Sequence, residues 1–515
     1  MSGVHFHWNL SDLVSPWISD AASNGALAGE SYAASDIAVH GVNLDSRLVA
    51  QGDLYLAVSG GTTHGMNFAI NAVNQGAVAV MTSLAASQQY YTVVAELQGR
   101  GIPLIVIPDL EANSTSIASR FYGEPDNTLS LIAVTGTDGK TSVCQFISQA
   151  MSASGEACGY IGTLGWGMQD KLNETALTTP DSVALRRMLA TMRDQGAQCV
   201  ALEASSHGIA EGRLDGLCID VAVLTNLGRD HLDYHVTIEA YKAAKARLFK
   251  WNTLQSVVLN SDDAMGQELL AELAYLDRYA YSSKGIASTS ATHDVTASAV
   301  SASDQGLAFE LNDAHDTGLI KTPLLGRFNV DNLLACYASL RACGVAANDA
   351  RHALEHVSPV VGRMERLGGL DKPTVVIDYS HTPGALSVAI DAVRVHCKGE
   401  LWVVFGCGGD RDSGKRAPMA RAAEAADHIV VTDDNPRTES SESIIRDVMA
   451  GFTNTAGVQV IAERGKAIAH AVQTAQAGDL VLIAGKGHET YQIVGTQTQH
   501  FSDRKQAEAV LGVAL

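Results

Sequence analysis

Positive charge is what this 515-residue chain has least of: 36 Lys and Arg stand against 56 Asp and Glu, for a net charge of −20. That deficit argues against nucleic acid or an anionic membrane as a general partner, so any phosphate must be held by local donors. Cysteines number eight, scattered and without a Cys-x-x-Cys pair. Neither a zinc site nor a disulfide framework is indicated, and a reducing cytoplasm is the simplest home. The N-terminus (His5, His7, Asp12, Asp20) has no basic start followed by an apolar core, which excludes a signal peptide. No apolar run approaches transmembrane length, so no integral membrane segment is expected. What is present, 46% apolar and 18% charged residues, fits a soluble globular enzyme. Roughly 150 residues per domain predicts about three domains.

The stretch Leu131-Ile-Ala-Val-Thr-Gly136-Thr137-Asp138-Gly139-Lys140-Thr141-Ser142 runs from a strand-like segment through a Gly-rich loop into a helical pattern, Val143 to Met151. That layout suits a nucleoside triphosphate. Glycines let backbone N–H groups close on phosphate oxygens, the helix N-terminus adds partial positive charge, the lysine reaches the terminal phosphates and a hydroxyl can bind Mg²⁺. The usual pattern has a glycine five residues before the Gly-Lys pair. Here that position is Val134, so the loop is a shortened form. An ordinary strand-to-helix turn is the bland alternative.

Further polar turns follow predicted strands. Cys199 to Glu203 is a buried strand ending on a carboxylate, followed by Ser205, Ser206 and His207. A carboxylate at the end of a parallel strand beside a phosphate loop is where a Mg²⁺ ligand belongs. Val221 to Thr225 leads into Asn226 to His235, with Asp230, His231, Asp233 and His235 in six residues; the spacing does not suit zinc. The helix Thr237 to Phe249 carries Lys242, Lys245 and Arg247, which read by themselves as a solvated face. Leu177-Thr-Thr-Pro-Asp181 is a loop before a helix from Ser182 to Asp194, with the proline suiting the first turn. The Ser-, Ala- and Thr-rich residues 281–305 suggest exposed hairpins or a loop, and Asn329 and Asn332 are plausible caps of a helix from Leu333 to Cys343.

From residue 359 onward strand and polar turn alternate four times, at Thr374 to Asp378, Leu401 to Phe405, His428 to Thr432 and Asp479 to Ala484. This predicts a doubly wound parallel sheet with ligands beyond the carboxyl ends of its strands. Gly406-x-Gly-x-x-Arg411 is a poor dinucleotide signature, lacking the third glycine. Charge balance is more telling: Arg411 and Arg437 offer fork-shaped carboxylate binding, while Asp434 and Glu489 suit an ammonium. Together they fit a zwitterionic amino acid. The first 128 residues read as a small α/β domain, whose Leu44, Ser46 and Gly60–Thr63 turn could form a ligand rim or be plain surface turns.

These motifs, with Gly362-Arg363-Met-Glu365 and Asp378-Tyr-Ser-His381, fall in one order in which the sequence resembles the Mur ligases, ATP-dependent amino-acid ligases of peptidoglycan synthesis. Asp434-Asn435-Pro436-Arg437 is similar to the motif of the diaminopimelate-adding members, whereas lysine-adding relatives usually lose its arginine. The resemblance implies an α/β protein of three domains. Residues 1–128 would bind the UDP-sugar, 129–358 would be a central ATP-binding domain of P-loop type with a parallel sheet, and 359–515 a Rossmann-like doubly wound domain for the amino acid. It implies addition of meso-2,6-diaminopimelate to the D-Glu γ-carboxylate of UDP-N-acetylmuramoyl-L-alanyl-D-glutamate through an acyl phosphate, by a cytoplasmic monomer.

Residue by residue, the resemblance places Gly136 to Ser142, Asn332 (on adenine), Arg363 and Asp378 on ATP. Leu44, Ser46, Gly61, Thr62, Thr63, Thr178, Thr179, Ser205 and Arg213 fall on the UDP-muramoyl dipeptide. Arg411, Asp434, Asn435, Pro436, Arg437, Gly485 and Glu489 fall on diaminopimelate. Lys140, Glu203, His231 and Lys245 would be catalytic, and Thr141, Glu203, His231 and Lys245 would serve Mg²⁺, Lys245 as a CO₂-derived carbamate. Asp138 departs from the family's usual Asn, and an added carboxylate beside a triphosphate is unfavourable unless it faces away or meets Mg²⁺. A ligase of the lysine-adding, folylpolyglutamate or cyanophycin type is the nearest alternative, and a non-catalytic nucleotide-binding regulator the other.

Overall fold

The computed structural model describes residues 6–23, 37–61, 63–169 and 171–512, so Thr62 lies outside the described residues. Two compact units are formed, Met1–Cys144 with Gly155–Val257, and Gln145–Ser154 with Val258–Leu515. Among the described residues no helix is long and apolar enough to cross a membrane.

The first unit begins with a four-stranded parallel sheet, Gly41–Asn43, Asp53–Ala57, Ala79–Ser83 and Leu104–Ile107, laid side by side in chain order. Alternate residues of Asp53–Ala57 serve different cores. Leu54 and Leu56 pack with Ile117 and Phe121 of the helix Leu110–Phe121, while Tyr55 and Ala57 pack with Ala69, Ala72 and Leu97. A strand covered on both faces reads as the near-continuous apolar run seen in the sequence.

The same unit carries strands in the order Lys171–Asn173, Gly165–Met168, Cys158–Gly162, Cys199–Glu203, Ser130–Thr135, Val221–Leu224. The last four are parallel, and the first two return as antiparallel hairpin strands. Thr135, Glu203 and Leu224 therefore end side by side, and the loops that follow them share one end of the sheet. The helix Ser182–Asp194 is capped by Asp181, whose side chain accepts from the backbone N–H of Val183 and Ala184. Pro180 thus precedes the cap and is not in the first helical turn.

In the second unit, Asp277–Ser282 pairs in parallel with His293–Ser303, and an antiparallel meander continues through Gly306–Asp313 and Asp316–Thr322. The Ser-, Ala- and Thr-rich stretch is thus a loop over residues 283–292 followed by a hairpin strand, as expected. The helix Phe328–Ala342 starts earlier than expected and takes in both asparagines. Neither is a cap: Asn329 Nδ2 donates to the Leu325 carbonyl at 2.7 Å, and Asn332 Nδ2 to Asn329 Oδ1 at 2.8 Å. Both are buried, where an amide must find partners.

The six-stranded sheet of this unit has the order Glu365–Gly368, Thr374–Asp378, Leu480–Ala484, Leu401–Phe405, His428–Val431, Val458–Val460, parallel except for its first pair. All four expected strands are present. The segments after Ala484 and Val431 are tied together by Arg464 at the start of helix Arg464–Thr474. Its guanidinium donates to the carbonyls of Asp433 (3.2 Å) and Ala484 (3.0 Å) and grips Asp503 at 2.7 Å through two nitrogens, with both side chains 0% exposed. Removing one member strands the other charge in a dry interior. Asp503→Ala is therefore expected to destabilise the protein by about 3–5 kcal/mol, read as a lower midpoint in urea unfolding.

Candidate functional site

The loop from Gly136 to Lys140 is shaped by its neighbours. Gly136 has φ +152°, and a Cβ there would lie 1.8 Å from Thr225 Oγ1, so no other residue fits. Thr225 Oγ1 donates to the Asp138 carbonyl (2.6 Å), and Asn226 Oδ1 accepts from the Asp138 N–H (3.0 Å). The Gly228 N–H donates to Thr137 Oγ1 at 2.7 Å, and the Tyr241 hydroxyl lies 3.2 Å from that oxygen. Lys140 folds over the loop, its ammonium donating to the carbonyls of Gly136 (2.9 Å) and Thr137 (2.8 Å). The Asp138 residue is exposed, and its carboxylate is in contact with water.

Lys245 leaves the solvated face its helix suggested. It is buried, donates to the Gly136 carbonyl at 2.7 Å, and sits 4.4 Å from the Tyr241 ring centroid. Burial, reinforced by the Lys140 charge, pulls its pKa down to about 6. At neutral pH the side chain is mainly an uncharged amine.

Glu203 is 1% exposed. Its Oε1 accepts from the Tyr160 hydroxyl (2.6 Å) and the Thr163 N–H (2.9 Å), its Oε2 from the hydroxyls of Thr141 (3.0 Å) and Thr163 (3.2 Å). Four donors make a buried carboxylate tenable. The network runs on: Thr163 Oγ1 is 3.1 Å from Thr178 Oγ1, and Thr179 Oγ1 donates to the Glu203 carbonyl (2.7 Å) and lies 2.9 Å from Ser205 Oγ. Arg213 donates to the Thr179 carbonyl at 2.8 Å and pairs with Glu211. Thr141, Glu203, Thr178, Thr179, Ser205 and Arg213 are thus one connected cluster.

His231 stands apart from it. Its φ is +53°, its ring is exposed, and it belongs to an aromatic group with His207 (4.8 Å), while Tyr241 lies 6.3 Å away. Partial desolvation of the ring, with the Lys140 charge adding to it, lowers its pKa against the opposing pull of Asp230. Among the described residues no three His, Cys, Asp or Glu side chains gather as a ready-made metal cage. Thr141 Oγ1 and Glu203 Oε2, 3.0 Å apart, do have the spacing of neighbouring ligands around Mg²⁺, which binds a few protein oxygens and completes its shell with phosphate and water.

In the N-terminal region, Ser46 is buried and Leu44 packs against the sheet core. The Gly60 N–H donates to the Thr63 carbonyl at 2.9 Å, Asn67 Nδ2 donates to Thr63 Oγ1 at 2.9 Å, and Gly61 is exposed.

The second unit gathers the remaining candidates. Asp378 Oδ2 accepts from the Met364 N–H at 2.9 Å, and its Oδ1 from Ser380. The Arg363 guanidinium lies 4.6 Å from the Tyr379 ring centroid, its Nε buried without a hydrogen-bond partner. Arg437 (φ +54°) donates to the Gly409 carbonyl at 2.9 Å. Gly408 makes room for both arginines, since a Cβ there would lie 3.0 Å from Arg437 Nη1 and 3.9 Å from Arg411 Cγ. Opposite charge follows close by: Asp434, Asn435 and Glu489 surround the ammonium of Lys486. Lys486, Tyr160 and Tyr241 escaped the sequence reading. Only Lys486 had a signal, its place inside the Gly485–Glu489 motif.

Three family models match the chain: "Mur ligase family, catalytic domain" over residues 38–122, "Mur ligase middle domain" over 134–340, and "Mur ligase, glutamate ligase domain" over 362–487. The UDP-N-acetylmuramoyl-L-alanyl-D-glutamate–2,6-diaminopimelate ligase of Pseudomonas aeruginosa is 45% identical over 477 residues, 92% of this chain and 96% of the relative. The chain belongs to the Mur ligase family. The like-named ligase of Vibrio vulnificus is 39% identical over 98% of this chain and 99% of its own. A solved structure of a ligase of that name covers 99% of both chains at 33% identity and a TM-score of 0.65. Thermotoga maritima MurF in complex with ADP, 15% identical with a TM-score of 0.61 over 87% of this chain and 94% of its own, shares the fold alone. Mur ligases are ATP-dependent enzymes that use Mg²⁺. The order of elements, α/β in three family regions, is theirs.

The bond from Tyr160 is the shortest of the four that the Glu203 carboxylate accepts, and the Tyr160 oxygen also accepts from the Leu164 N–H at 3.2 Å. Tyr160→Phe removes a charge-assisted bond and leaves that N–H unpaired. A loss of about 2 kcal/mol in urea unfolding is expected.

Proposed function

We propose that this Mur ligase adds meso-2,6-diaminopimelate to the γ-carboxylate of the D-glutamate in UDP-N-acetylmuramoyl-L-alanyl-D-glutamate, forming a peptide bond as ATP becomes ADP and phosphate. The observation that carries the choice of amino acid is the surroundings of Gly408, where a Cβ would lie 3.0 Å from Arg437 Nη1 and 3.9 Å from Arg411 Cγ, with Asp434 of the same motif flanking the Lys486 ammonium together with Glu489. Diaminopimelate differs from lysine by a carboxylate at its far end, and a pair of forked cations beside acidic groups rewards a far end bearing both charges. Like-named relatives at 39–45% identity over nearly the whole chain support the same choice. Residues 1–128 would hold the UDP-sugar, 129–358 ATP and the peptide, and 359–515 the incoming amino acid; the three family matches fall within these limits. ATP, a UDP-linked substrate and eight cysteines that form no disulfide among the described residues support a cytoplasmic location.

The reaction needs an activated carboxylate. The D-glutamate carboxylate attacks the γ-phosphorus of ATP, the bond to the ADP oxygen breaks, and an acyl phosphate results; the amine of diaminopimelate then attacks the acyl carbon and phosphate leaves. Lys140 would exchange its carbonyl contacts for terminal phosphate oxygens, and Asn332, Arg363 and Asp378 are the further residues that the family resemblance assigns to ATP. Leu44, Ser46 and the Gly61–Thr63 turn would meet the UDP end. Thr178, Thr179, Ser205 and Arg213, linked to Glu203 through hydroxyls, would hold the peptide end in register.

Bound Mg²⁺ would neutralise crowded oxygens, with Thr141, Glu203, His231 and Lys245 as the residues to serve it. A protonated lysine has no lone pair to give. Lys245 fits the role as a carbamate, which supplies anionic oxygen: its amine, neutral above about pH 6, can take up CO₂ with loss of a proton. In ¹³C-bicarbonate, a carbamate resonance is expected at pH 8 and should vanish as pH falls through about 6. A Lys245→Ala protein should lack it, and its persistence there would refute the assignment.

The function is tested by phosphate release with the UDP-muramoyl dipeptide and diaminopimelate, lysine or glutamate in turn. Diaminopimelate alone should support turnover. Lys140→Ala should abolish release, whereas Arg437→Ala should raise the KM for diaminopimelate about ten-fold or more with the KM for ATP unchanged. Turnover with lysine or glutamate equal to that with diaminopimelate would overturn the reading.

A further inference from the structure

The acidic groups assigned to an incoming ammonium already hold one. Lys486 is fully buried, with its side chain 0% exposed. Its ammonium donates to Glu489 Oε2 at 2.7 Å and Asn435 Oδ1 at 3.1 Å, lies 3.8 Å from Asp434 Oδ1, and is 5.5 Å from the Tyr491 ring centroid. Asn435 Nδ2 donates to the same Glu489 Oε2 at 3.2 Å. One carboxylate oxygen is therefore fixed from two directions, and the carboxylate plane with it.

The strand Tyr491–Val494 completes the clasp. Gln492 Nε2 donates to the Asp434 carbonyl at 2.7 Å, the Ile493 N–H to Asn435 Oδ1 at 2.9 Å, and the Arg437 N–H to the Ile493 carbonyl at 3.0 Å. Asn435 Oδ1 thus joins the buried ammonium to the strand that fixes the backbone of Arg437.

We propose that Lys486 is a positioning residue of the amino-acid site: its buried ammonium orients Glu489 and Asn435 and cancels one of the two carboxylate charges there. Asp434 and Glu489 carry two negative charges and Lys486 one positive, so the group retains a single negative charge. That suits one substrate ammonium beside a carboxylate held by Arg411 and Arg437. A buried acidic pair without its counter-ion would repel itself, and the freed carboxylate would lose the direction in which it meets a ligand. The inference rests on the reading of this region as the diaminopimelate site.

Lys486→Met keeps the volume of the stem and removes the charge. With the full-length enzyme in the phosphate-release assay, the KM for diaminopimelate should rise about ten-fold or more, while the KM for ATP stays within about two-fold and kcat at saturating diaminopimelate within about three-fold. A parallel rise in the KM for ATP would mean a general loss of structure and overturn the proposal. An unchanged KM for diaminopimelate in Lys486→Met, with a raised one in Arg437→Ala, overturns the proposal and leaves the site standing. Unchanged values in both overturn the site itself.

Because Lys486 acts through Glu489, the two effects should not multiply. Adding Lys486→Met to Glu489→Gln should change the KM by no more than about three-fold. This double variant also removes both charges of the pair, so it decides the matter should the single variant fail to fold. A further ten-fold rise in it would overturn the proposal.

Discussion

A carboxylate cannot stay charged in a dry interior unless donors surround it, and Glu203 imposes that demand on much of the first unit. Its strand ends between two parallel neighbours. The chain meets the demand with the Thr141 hydroxyl from the first turn of the phosphate-loop helix, Tyr160 from the adjoining strand, and the backbone and hydroxyl of Thr163 in the turn after it. One group thereby sets the distance between the triphosphate loop and the Thr178–Thr179 segment. A peptide carboxylate that must reach the γ-phosphate depends on that distance, because positioning supplies a large part of the rate in phosphoryl transfer.

The second unit meets a similar demand with cations. Arg464 and Lys486 are both buried, and each joins the segments that follow His428–Val431 and Leu480–Ala484, the two strands on either side of Leu401–Phe405. Arg464 holds the carbonyls of Asp433 and Ala484, the residues just before the two acidic motifs. Lys486 then ties the side chains of those motifs to one another. The region proposed to hold the amino acid thus rests on internal charge pairs in two layers, backbone first and side chain second.

Much of this was legible in the chain, for identifiable reasons. Strands buried on both faces announce themselves as apolar runs, and a polar or Gly-rich turn after each marks the carboxyl end where parallel sheets hold ligands. That logic found the four parallel strands of the last region, the Glu203 terminus and the shortened loop. It failed where partners are distant in sequence. Lys245 read as one of three solvated lysines and arginines because helical spacing says nothing of which face another segment covers. Asn329 and Asn332 read as caps because Asn favours helix starts, yet buried amides bonded to Leu325 and to each other satisfy the same chemistry inside the helix. Tyr160 and Tyr241 gave no signal, as their value lies in one hydroxyl each, aimed at a partner tens of residues away.

Asp138 shows how local charge can be consistent with a phosphate loop after all. Burial and the Lys140 charge both drive Lys245 toward its neutral form, while Asp138 and Asp230 pull the other way. An exposed carboxylate is screened by water and costs a bound triphosphate little, since the effective dielectric between it and the phosphates is high. Its effect on Lys245 is of the same screened kind, a moderation of the downward shift and not a reversal. The residue's backbone, held by Thr225 and Asn226, does the shaping of the loop, and the residue itself is exposed.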